Sequence, residues 1–512
     1  MHVARPEPVA ERLDLREKRV LIFIVAYNAE TTIGKVLSRI PPSLHSENVE
    51  ILIIDDFSRD ETFRNGVRYQ AANSDFKITV LRTPENQGYG GNQKLGYRYA
   101  IDHGFDIVAL LHGDGQYAPE KLPELLTPLV AEEADAVFGS RMIDRRAARR
   151  GGMPLYKWFG NQILTAFQNR VLGTQLSEFH SGYRLYSTAA LAEIPFEKNT
   201  NDFHFDTEII IQLVLRKLRI AELPIPTFYG DEICHVNGLR YARDICKATI
   251  KARLCSMHLF YDRKFDVDPR LARHSDKLKF ASSQAFAIEA CPARSRVLQL
   301  GLGHANVAAE LERRACHVTA IDFETNEIAA SATDSQPAAP TPSVPLDVAH
   351  YDKVLLMDLV EHLHDPETFM DSLRRRMEGS RPEVIVTAAN VAFFVTRFML
   401  LIGQFNYSRK GILGLGHRRL FTFRSLRSLL EQAGYQIVEE RGVPAPFPLA
   451  LGENRSSAAL LKVNQLLLRF WRGLFAYQIC VRAVAMPMSR HLLTETIAGS
   501  AALRSEIVAG AA

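Results

Sequence analysis

The hydrophobic positions of this chain fall into short aliphatic runs that alternate with segments of helical periodicity. In the first half, the runs predict five strands, at Val20–Ala26, Glu50–Ile54, Ile78–Arg82, Ile107–Leu111 and Ala136–Gly139. The intervening segments predict helices, among them Thr31–Arg39, Gly91–His103 and Pro119–Ala131. Apolar strands joined by helices are typical of a parallel sheet covered on both faces, so we expect an α/β fold that binds ligands at the carboxyl ends of its strands.

The same alternation begins again near Arg296. Further strands are predicted at residues 297–301, 318–322, 354–358, 384–388, 435–440 and 476–485, and helices at 425–433 and 457–471. Residues 333–344, rich in proline, alanine and serine, form a loop where a longer element would be expected. Because 512 residues exceed one ordinary core, we predict domains at 17–250 and 278–490, a linker at 251–277 and a flexible tail at 491–512.

Composition narrows the class of protein. A net charge of +4 on this length gives no argument for nucleic-acid binding, and the six cysteines include no CxxC pair. The N-terminal residues lack the apolar core of a secretory signal, so a cytoplasmic protein is expected. Val384–Gly403 is the most membrane-like stretch, but Asn390 and Arg397 argue against a span. Residues 391–403 are expected to form a buried helix or one lying on a membrane, which would make peripheral contact with its inner face.

Polar residues follow three of the predicted strands in the first half. Tyr27 and Asn28 follow the first strand, and Asp55 and Asp56 end the second. The fourth strand runs into His-Gly-Asp-Gly-Gln-Tyr at 112–117, which presents Asp114 and Gln116 from a glycine-containing loop. Each segment alone has an ordinary structural explanation, such as packing for Tyr27 or a turn for Asp114. Their recurrence at consecutive strand ends predicts one site, whose oxygen ligands suit a Mg²⁺ or Mn²⁺ ion carrying a diphosphate.

Over about residues 17–250 the chain resembles the family 2 glycosyltransferases of GT-A fold, especially those like dolichyl-phosphate mannosyltransferase. The motifs that carry this resemblance are VAYNAE, IDDFSRDET, NQGYGGNQKLGYRYA, HGDGQYAPE, FGSR, SGYRLYS and FDTEI. The resemblance implies a Rossmann-like domain that binds a UDP- or GDP-linked sugar through Ala26, Tyr27, Asn28, Glu30, Asp55, Asp56 and Asp114. It also makes Asp114 the metal ligand, assisted by Gln116. His112 stands where the family usually has its first aspartate, and neutral imidazole can ligate Mn²⁺ or leave the ion to the other ligands.

The reaction implied by this resemblance is an inverting displacement of a nucleoside diphosphate by an acceptor. A hydroxyl acceptor needs a general base, for which Asp206 and Glu208 are the available carboxylates. A phosphate acceptor needs positive charge instead, and the resemblance places an arginine for that purpose at Arg141. The acceptor is therefore expected to be a glycan, a lipid-linked precursor or a lipid phosphate.

The second half carries its own candidate site. Gly301 and Gly303 follow a strand, and Asp322 ends the next one, a pattern that fits NAD as well as S-adenosylmethionine. The segment MDLVEHLHDP at 357–366 resembles the corresponding segment of class I S-adenosylmethionine-dependent methyltransferases, whose Rossmann-like fold is then implied for 278–490.

By that resemblance, Gly301 and Gly303 shape the cofactor pocket, Asp322 holds the ribose and Asp358 lies near the sulfonium. His362 and His417 are candidate bases, with helix packing and a loop position as their structural alternatives.

The leading hypothesis is a bifunctional enzyme, in which the first half transfers a sugar from a nucleotide-sugar and the second half methylates the same or a related glycan. Two alternatives stay open. The methyltransferase-like domain could be a degenerate interaction module beside a working glycosyltransferase, or the whole chain could be a non-catalytic sugar-nucleotide-binding regulator.

Overall fold

The structure is a computed structural model. It describes residues 15–227, 237–257, 260–267, 281–301, 305–322, 348–377, 380–409, 411–448, 454–489, 491–493, 496–497 and 500. The chain divides into two compact units, Met1–Arg273 and His274–Ala512. None of the helices in these described ranges is long and apolar enough to cross a membrane.

A mixed sheet forms the centre of the first unit. Its seven strands lie in the order β3-β2-β1-β4-β6-β5-β7. They are β1 Val20–Ala26, β2 Val49–Asp55, β3 Lys77–Arg82, β4 Ile107–His112, β5 Ala136–Ser140, β6 Arg184–Ser187 and β7 Ile220–Pro224.

The five predicted strands are confirmed, but the expectation of an all-parallel sheet is wrong. β6 lies antiparallel to both β4 and β5. It escaped the hydrophobic pattern because it has four residues and begins with an arginine.

Helices cover both faces of this sheet. They are α1 Ile33–Ser38, α2 Thr62–Ala72, α3 Tyr89–Asp102, α4 Leu122–Val130, α5 Arg145–Arg150, α6 Leu155–Leu172, α7 Thr188–Ala192, α8 Phe205–Arg216 and α9 Gly238–Ser256, with 3₁₀ turns at Pro42–Leu44, Pro119–Lys121 and Phe196–Lys198.

The uninterrupted apolar sequence of β1 follows from burial on both faces of the sheet. Val20, Ile22 and Ile24 belong to one hydrophobic cluster, whereas Leu21 and Phe23 belong to the cluster on the other face. A strand with only one buried face would alternate with polar residues instead.

Strand register brings the predicted polar residues to one edge of the sheet. Ala26 pairs with Asp55, and Asp55 pairs with Arg82 on β3. On the other side of β1, Val25 pairs with His112. Because these strands are parallel, the loops that follow β1, β2 and β4 leave the sheet side by side.

The second unit contains a six-stranded sheet in the order β12-β13-β11-β10-β8-β9, in which β13 is antiparallel to its neighbours. Its strands are β8 Arg296–Gly301, β9 His317–Asp322, β10 Lys353–Met357, β11 Glu383–Ala389, β12 Tyr435–Val443 and β13 Gln478–Ala485. The helices are α10 Ser283–Glu289, α11 Ala305–Arg313, α12 Pro366–Arg375, α13 Phe394–Leu401, α14 Phe423–Gln432, α15 Arg455–Phe470 and α16 Arg472–Phe475, with a 3₁₀ turn at Val348–His350.

The predicted linker at 251–277 overlaps elements that pack in the first unit. α9 continues to Ser256, and Phe265 lies in one buried cluster with Ile211 of α8. The exact domain bounds stay a prediction. Residues 268–280, the predicted loop at 333–344 and most of the predicted tail lie outside the described residues.

Candidate active sites

The loops after β1 and β2 are locked together by hydrogen bonds. The Asn28 amide N donates to Ser58 Oγ at 2.8 Å, and Asn28 Oδ1 accepts from the Arg59 amide N at 3.2 Å. Glu30 Oε2 accepts from the Glu61 amide N at 3.0 Å. Asn28 and Glu30 therefore serve to join the two loops, which leaves the half-exposed Tyr27 as the member of the first loop most open to a ligand.

Asp55 is completely buried at the end of β2. Its Oδ1 accepts a short hydrogen bond from the Ser58 hydroxyl, and its Oδ2 lies 3.4 Å from Nε of Arg82. Burial raises the pKa of Asp55, although the hydrogen bonds from Ser58 and the charge of Arg82 oppose this. Asp55 has no exposed surface, so its contacts are with Ser58 and Arg82.

Asp56 holds the start of the glycine-rich segment. Its Oδ1 accepts from the Gln87 amide N at 2.8 Å and from the Thr83 hydroxyl at 3.1 Å, and its Oδ2 accepts from the Gly88 amide N at 3.0 Å. These bonds engage both oxygens, so the contacts favour a role in fixing the turn before α3 over direct binding of a nucleotide.

Phe57 and Arg82 form a feature that the sequence reasoning missed. Phe57 has a φ of 61°, which is a genuine outlier for a bulky side chain. Its half-exposed ring lies 5.1 Å from the Arg82 guanidinium carbon, and Arg82 Nη2 donates to the Ser58 carbonyl at 2.8 Å. A strained aromatic ring beside a partly exposed cation at this edge is suited to stacking against a planar base. The signal in the sequence was a phenylalanine inside a turn.

Asp114 is the exposed carboxylate of the loop after β4. Its Oδ1 accepts from the Gln116 amide N at 2.9 Å, which holds the loop in a tight turn. Within the described residues, no group of three or more histidine, cysteine or carboxylate side chains could hold a metal ion. The residues still fit Mg²⁺ or Mn²⁺, since one carboxylate and one amide oxygen leave several positions for phosphate oxygens and water.

His112 is packed away from this carboxylate loop. Its ring meets Tyr89 and Tyr117 edge-on, at centroid distances of 5.6 and 5.0 Å. Nε2 is buried without a hydrogen-bond partner, and a Cβ placed on Gly182 would lie 2.8 Å from it. This nitrogen is closed off by the backbone at Gly182, so the geometry favours Asp114 and Gln116 as ligands over His112 Nε2.

Asp206 lies in the first turn of α8, in contact with side chains from α3 and β6. Its Oδ2 accepts a 2.7 Å hydrogen bond from the Tyr89 hydroxyl and lies 3.8 Å from Nη2 of Arg184. Arg184 is itself buried and donates to the carbonyl oxygens of Phe179, Ser181 and Asp206. Sequence reasoning found Asp206 but assigned no role to Tyr89 or Arg184, which fix its position.

Glu208, the other candidate base, is engaged elsewhere. Its Oε1 pairs with Lys264 Nζ at 2.5 Å, and its Oε2 accepts from the Thr200 amide N at 2.7 Å. The side chain is buried, and both oxygens already have partners. The structure therefore argues against Glu208 as the base, because it ties α8 to two loops, and it leaves Asp206 as the candidate.

Arg141 forms a nearly buried pair with Glu178. Arg141 Nε lies 3.0 Å from Glu178 Oε1, which also accepts from Nδ2 of Asn161 at 2.7 Å. Burial raises the pKa of Glu178, but the Arg141 guanidinium overrides this effect and holds that pKa below its usual value. Arg141 is thus oriented by Glu178, which the sequence did not single out.

In the second unit, register again aligns the predicted residues. Gly301 pairs with Met357 on β10 and with Asp322 on β9, so the carboxyl ends of three strands lie together. Gly303 and the side chain of Asp322 lie outside the described residues.

Asp358 comes directly after β10 and is held from two sides. Its Oδ1 accepts from the Thr387 hydroxyl at 2.8 Å, and its two oxygens lie 3.1 and 3.2 Å from Gln478 Nε2. A φ of 49° places Asp358 in the left-handed region, which aspartate tolerates better than most residues. The Asp358 carboxylate, held by Thr387 and Gln478, is suited to polar contacts with a cofactor at the end of β10.

The buried Glu361 and the partly buried His362 and His417 form a polar cluster beside Asp358. The two imidazoles meet edge to face at 4.8 Å, with His362 Nδ1 3.0 Å from the Gly416 carbonyl and His417 Nδ1 3.0 Å from the Ile412 carbonyl. His362 Nδ1 faces a carbonyl oxygen and therefore carries the proton, which leaves its Nε2 as the basic nitrogen. His417 Nδ1 also lies 3.3 Å from the Gly414 amide N, which donates to it, so these contacts do not select one tautomer of His417. Burial lowers the pKa of His362, and it lowers the pKa of His417 to about 4.

Comparisons with known proteins match each half of the chain separately. The family model "Glycosyl transferase family 2" matches residues 21–194, and the model "Methyltransferase domain" matches residues 271–440.

Two curated relatives match the first half. The UDP-N-acetylglucosamine–dolichyl-phosphate N-acetylglucosaminyltransferase of Methanococcus voltae is 27% identical over 228 residues, which are 42% of this chain and 88% of the relative. The undecaprenyl-phosphate mannosyltransferase of Micrococcus luteus is 28% identical over 226 residues, again 42% of this chain and 85% of the relative. A solved glucosyl-3-phosphoglycerate synthase from Mycobacterium tuberculosis, in complex with Mn²⁺ and UDP, is 16% identical, with a TM-score of 0.35 and coverage of 48% of this chain and 85% of its own.

Proposed function

Because this chain joins a family 2 glycosyltransferase domain to a methyltransferase domain, we propose that it is a bifunctional enzyme of glycan biosynthesis. The first domain transfers a sugar from a UDP- or GDP-linked donor. The second transfers a methyl group from S-adenosylmethionine, acting on the same or a related glycan. The observation that carries the proposal is the alignment of Ala26, Asp55 and His112 along one sheet edge, with Asp114 directly beyond.

A polyprenyl phosphate is the acceptor that the relatives favour. The names of both curated relatives state a lipid phosphate as acceptor, dolichyl phosphate in one and undecaprenyl phosphate in the other. A phosphate is already ionised and needs cationic groups, which Arg141 and the exposed arginines of α5 supply on this chain. If the acceptor is a hydroxyl instead, Asp206 is placed to take its proton.

Each residue then has a defined task. Tyr27, Phe57 and Arg82 hold the base, while Asp114 and Gln116 hold Mg²⁺ or Mn²⁺. The ion supplies positive charge that neutralises the departing diphosphate. Tyr89 and Arg184 keep Asp206 in one orientation, which lowers the entropic barrier to in-line attack.

A panel of UDP- and GDP-sugars tests the first activity, assayed with Mn²⁺ or Mg²⁺ for transfer of the sugar to polyprenyl phosphate and release of the nucleoside diphosphate. We expect Asp114→Asn to lower turnover by at least about a hundredfold. The matched control is Asp75→Asn, which alters an exposed aspartate between α2 and β3. Tight binding of one nucleotide-sugar without turnover on any acceptor would contradict the proposal and favour a regulator.

Methyl transfer is supported by the polar cluster at the ends of β10 and β11. S-adenosylmethionine supplies an electrophilic methyl group, and the chain needs to align the acceptor and accept a proton. Asp358 is held by Thr387 and Gln478, and His362 Nε2 is the candidate base.

Photocrosslinking of S-adenosyl-[methyl-³H]methionine, followed by peptide mapping, tests the second activity. Label on peptides from residues 278–490, reduced in Asp358→Asn, supports it. Absence of any label, or of any calorimetric binding, would identify the second domain as an interaction module. We further propose that the protein works in the cytoplasm at the inner face of the membrane, where a lipid-linked acceptor resides.

A further inference from the structure

Helix α15 exposes several large apolar residues, whereas the residues it buries are polar. Over Arg455–Phe470 the buried side chains are Ser457 and Asn464. Asn464 Oδ1 accepts from the Ala445 amide N at 2.9 Å, and its Nδ2 donates to the Phe475 carbonyl at 3.0 Å. A helix on the surface of a soluble domain ordinarily shows the reverse distribution.

The outward face of α15 is strongly hydrophobic. Leu460, Val463, Leu466 and Phe470 recur at helical spacing, and Phe470 is 80% exposed. Trp471, which follows the helix, is 57% exposed. Scattered apolar residues on a surface are normal, but a contiguous stripe with an aromatic end marks an interaction site.

Helix α13 carries a second such stripe. Phe394, Phe398 and Leu401 lie on one side of the helix at spacings of four and three residues, and Leu401 is 81% exposed. Ile402 and Phe405 extend the exposed apolar surface past the helix. The first residue of α13 lies close to α16, because the Phe394 ring is 5.9 Å from the ring of Phe475, the last residue of α16. α16 begins directly after Trp471.

The charged side chains within the two segments are all basic, and one of them, Arg472, is paired with a carboxylate of β12, since its Nη2 lies 2.6 Å from Glu440 Oε2. Residues 391–404 contain one arginine, and residues 454–475 contain Arg455, Lys462, Arg469 and Arg472, without an aspartate or glutamate in either segment. Lys462, Arg469 and Arg472 are exposed. An apolar helix face bordered by cations, with tryptophan near its end, is the pattern of helices that lie in the interface of an anionic bilayer.

We propose that the face formed by the exposed apolar side chains of α13 and α15 together with Trp471, called here the C-terminal apolar face, docks on an anionic lipid bilayer. A second copy of the chain is the competing occupant. A symmetric contact between two such faces would oppose cations to cations without any carboxylate in either segment, which disfavours it.

The position of this face relates it to the second candidate site. α13 begins shortly after β11, and Ala389, the last residue of β11, donates its amide N–H to Oε1 of Glu361 at 3.2 Å. The bilayer surface would therefore lie beside the polar cluster that contains Asp358 and His362. An acceptor anchored in the membrane would reach this cluster without leaving the bilayer.

The fluorescence of Trp471 reports directly on docking at the bilayer, because the chain has only one other tryptophan, Trp158. The probe is the full chain carrying Trp158→Phe, mixed with vesicles of phosphatidylcholine alone or with phosphatidylglycerol in equal parts. On the anionic vesicles we expect Trp471 emission to move to shorter wavelength and to be quenched by brominated acyl chains. We expect both effects to weaken as salt is raised, since screening reduces the attraction of the cations. Unchanged Trp471 emission on anionic vesicles would overturn the proposal.

Paired substitutions localise the contact. We expect Phe398→Glu with Leu401→Glu, and separately Val463→Glu with Leu466→Glu, to lower vesicle partitioning at least about tenfold. The matched control is Val438→Glu, which changes a more than half-exposed valine on β12 and is expected to bind as the parent does.

Circular dichroism measures whether each variant keeps its helical structure, and light scattering measures its oligomeric state. Variants that keep their helical signal and still partition as the parent does would overturn the proposal. The proposal would also be overturned if the parent protein were a dimer that does not bind vesicles and these variants were monomers. The face would then serve self-association. Vesicle binding is measured without a nucleotide-sugar donor. Loss of sugar transfer in a variant therefore bears on the proposed function and not on docking at the bilayer.

Discussion

The hydroxyl of Tyr89, at the first residue of α3, donates a 2.7 Å hydrogen bond to Oδ2 of Asp206, in the first turn of α8. The two residues are 117 positions apart in the chain. The contact therefore joins the glycine-rich segment to the candidate base.

Substitution of this pair tests whether Asp206 serves the reaction or only the fold. We expect Asp206→Asn to lower turnover at least about a hundredfold while leaving the KM for the nucleotide-sugar nearly unchanged, because a base acts in the transition state. Tyr89→Phe removes one hydrogen bond to a carboxylate and is expected to lower turnover about tenfold.

The control is Tyr99→Phe, on the same helix and stacked on His103. Equal loss of stability and of turnover in all three variants, judged by urea unfolding, would assign Asp206 a structural role.

Phe57 tests whether backbone strain serves nucleotide binding. A left-handed conformation costs a bulky residue about 1–3 kcal/mol, which glycine avoids. We therefore expect Phe57→Gly to leave the free energy of unfolding within about 1 kcal/mol of the parent, since relief of strain offsets the lost contact with Arg82.

Affinity for the nucleotide-sugar, measured by calorimetry, is expected to fall about tenfold, the effect of losing one stacking partner of a base. Undiminished affinity would show that Phe57 takes no part in binding. Phe57→Ala serves as the control that removes the ring but retains the unfavourable φ.

The sequence was enough to predict the strands that carry the first site and the edge at which they meet, because β1, β2 and β4 consist mainly of apolar residues and polar residues stand at or directly after their carboxyl ends. It was not enough to separate residues that face a ligand from residues that hold loops. Asp56 and Glu208 both looked available, yet backbone amides and Lys264 engage their oxygens. Such assignments depend on contacts between distant segments, which no local pattern encodes. β6 was missed for the same reason, since its pairing with β4 and β5 is purely tertiary.

Gly182 tests the packing around His112. A Cβ at this position would lie 2.8 Å from two atoms of the His112 ring and 3.0 Å from the Tyr89 hydroxyl oxygen. We expect Gly182→Ala to lower the free energy of unfolding by about 1–3 kcal/mol, the usual effect of overpacking, and to reduce turnover by displacing Tyr89.

The matched control is Gly160→Ala in α6, where a Cβ meets nothing within 4 Å. There we expect stabilisation of up to about 1 kcal/mol, since alanine favours a helix. Equal behaviour of the two variants in urea unfolding would contradict the close packing at Gly182.

The pair formed by Arg141 and Glu178 predicts how the first unit responds to acid. The folded pKa of Glu178 lies below its usual value, so the unfolded chain takes up a proton more readily and stability falls as pH drops below about 4. We expect Glu178→Gln to flatten this decline but to lower stability at neutral pH by about 3–5 kcal/mol, because Arg141 loses its buried partner. Urea unfolding at a series of pH values measures both effects, and an unchanged acid decline in the variant would refute the assignment.

Glu361 predicts the opposite response in the second unit. Burial, and then the nearby charge of Asp358, raise the pKa of Glu361 well above its usual value. The folded protein therefore keeps a proton that the unfolded chain has released, so the stability that this group contributes is complete below about pH 4 and declines as pH rises toward 8. We expect Glu361→Gln, which stays neutral, to remove more than about 1 kcal/mol of this decline.

Hydrogen exchange of peptides covering β10 and β11, compared at acidic and mildly alkaline pH and corrected for intrinsic rates, measures the local stability. A variant whose protection falls with pH as steeply as that of the parent would show that the proton on Glu361 is not the cause of this decline.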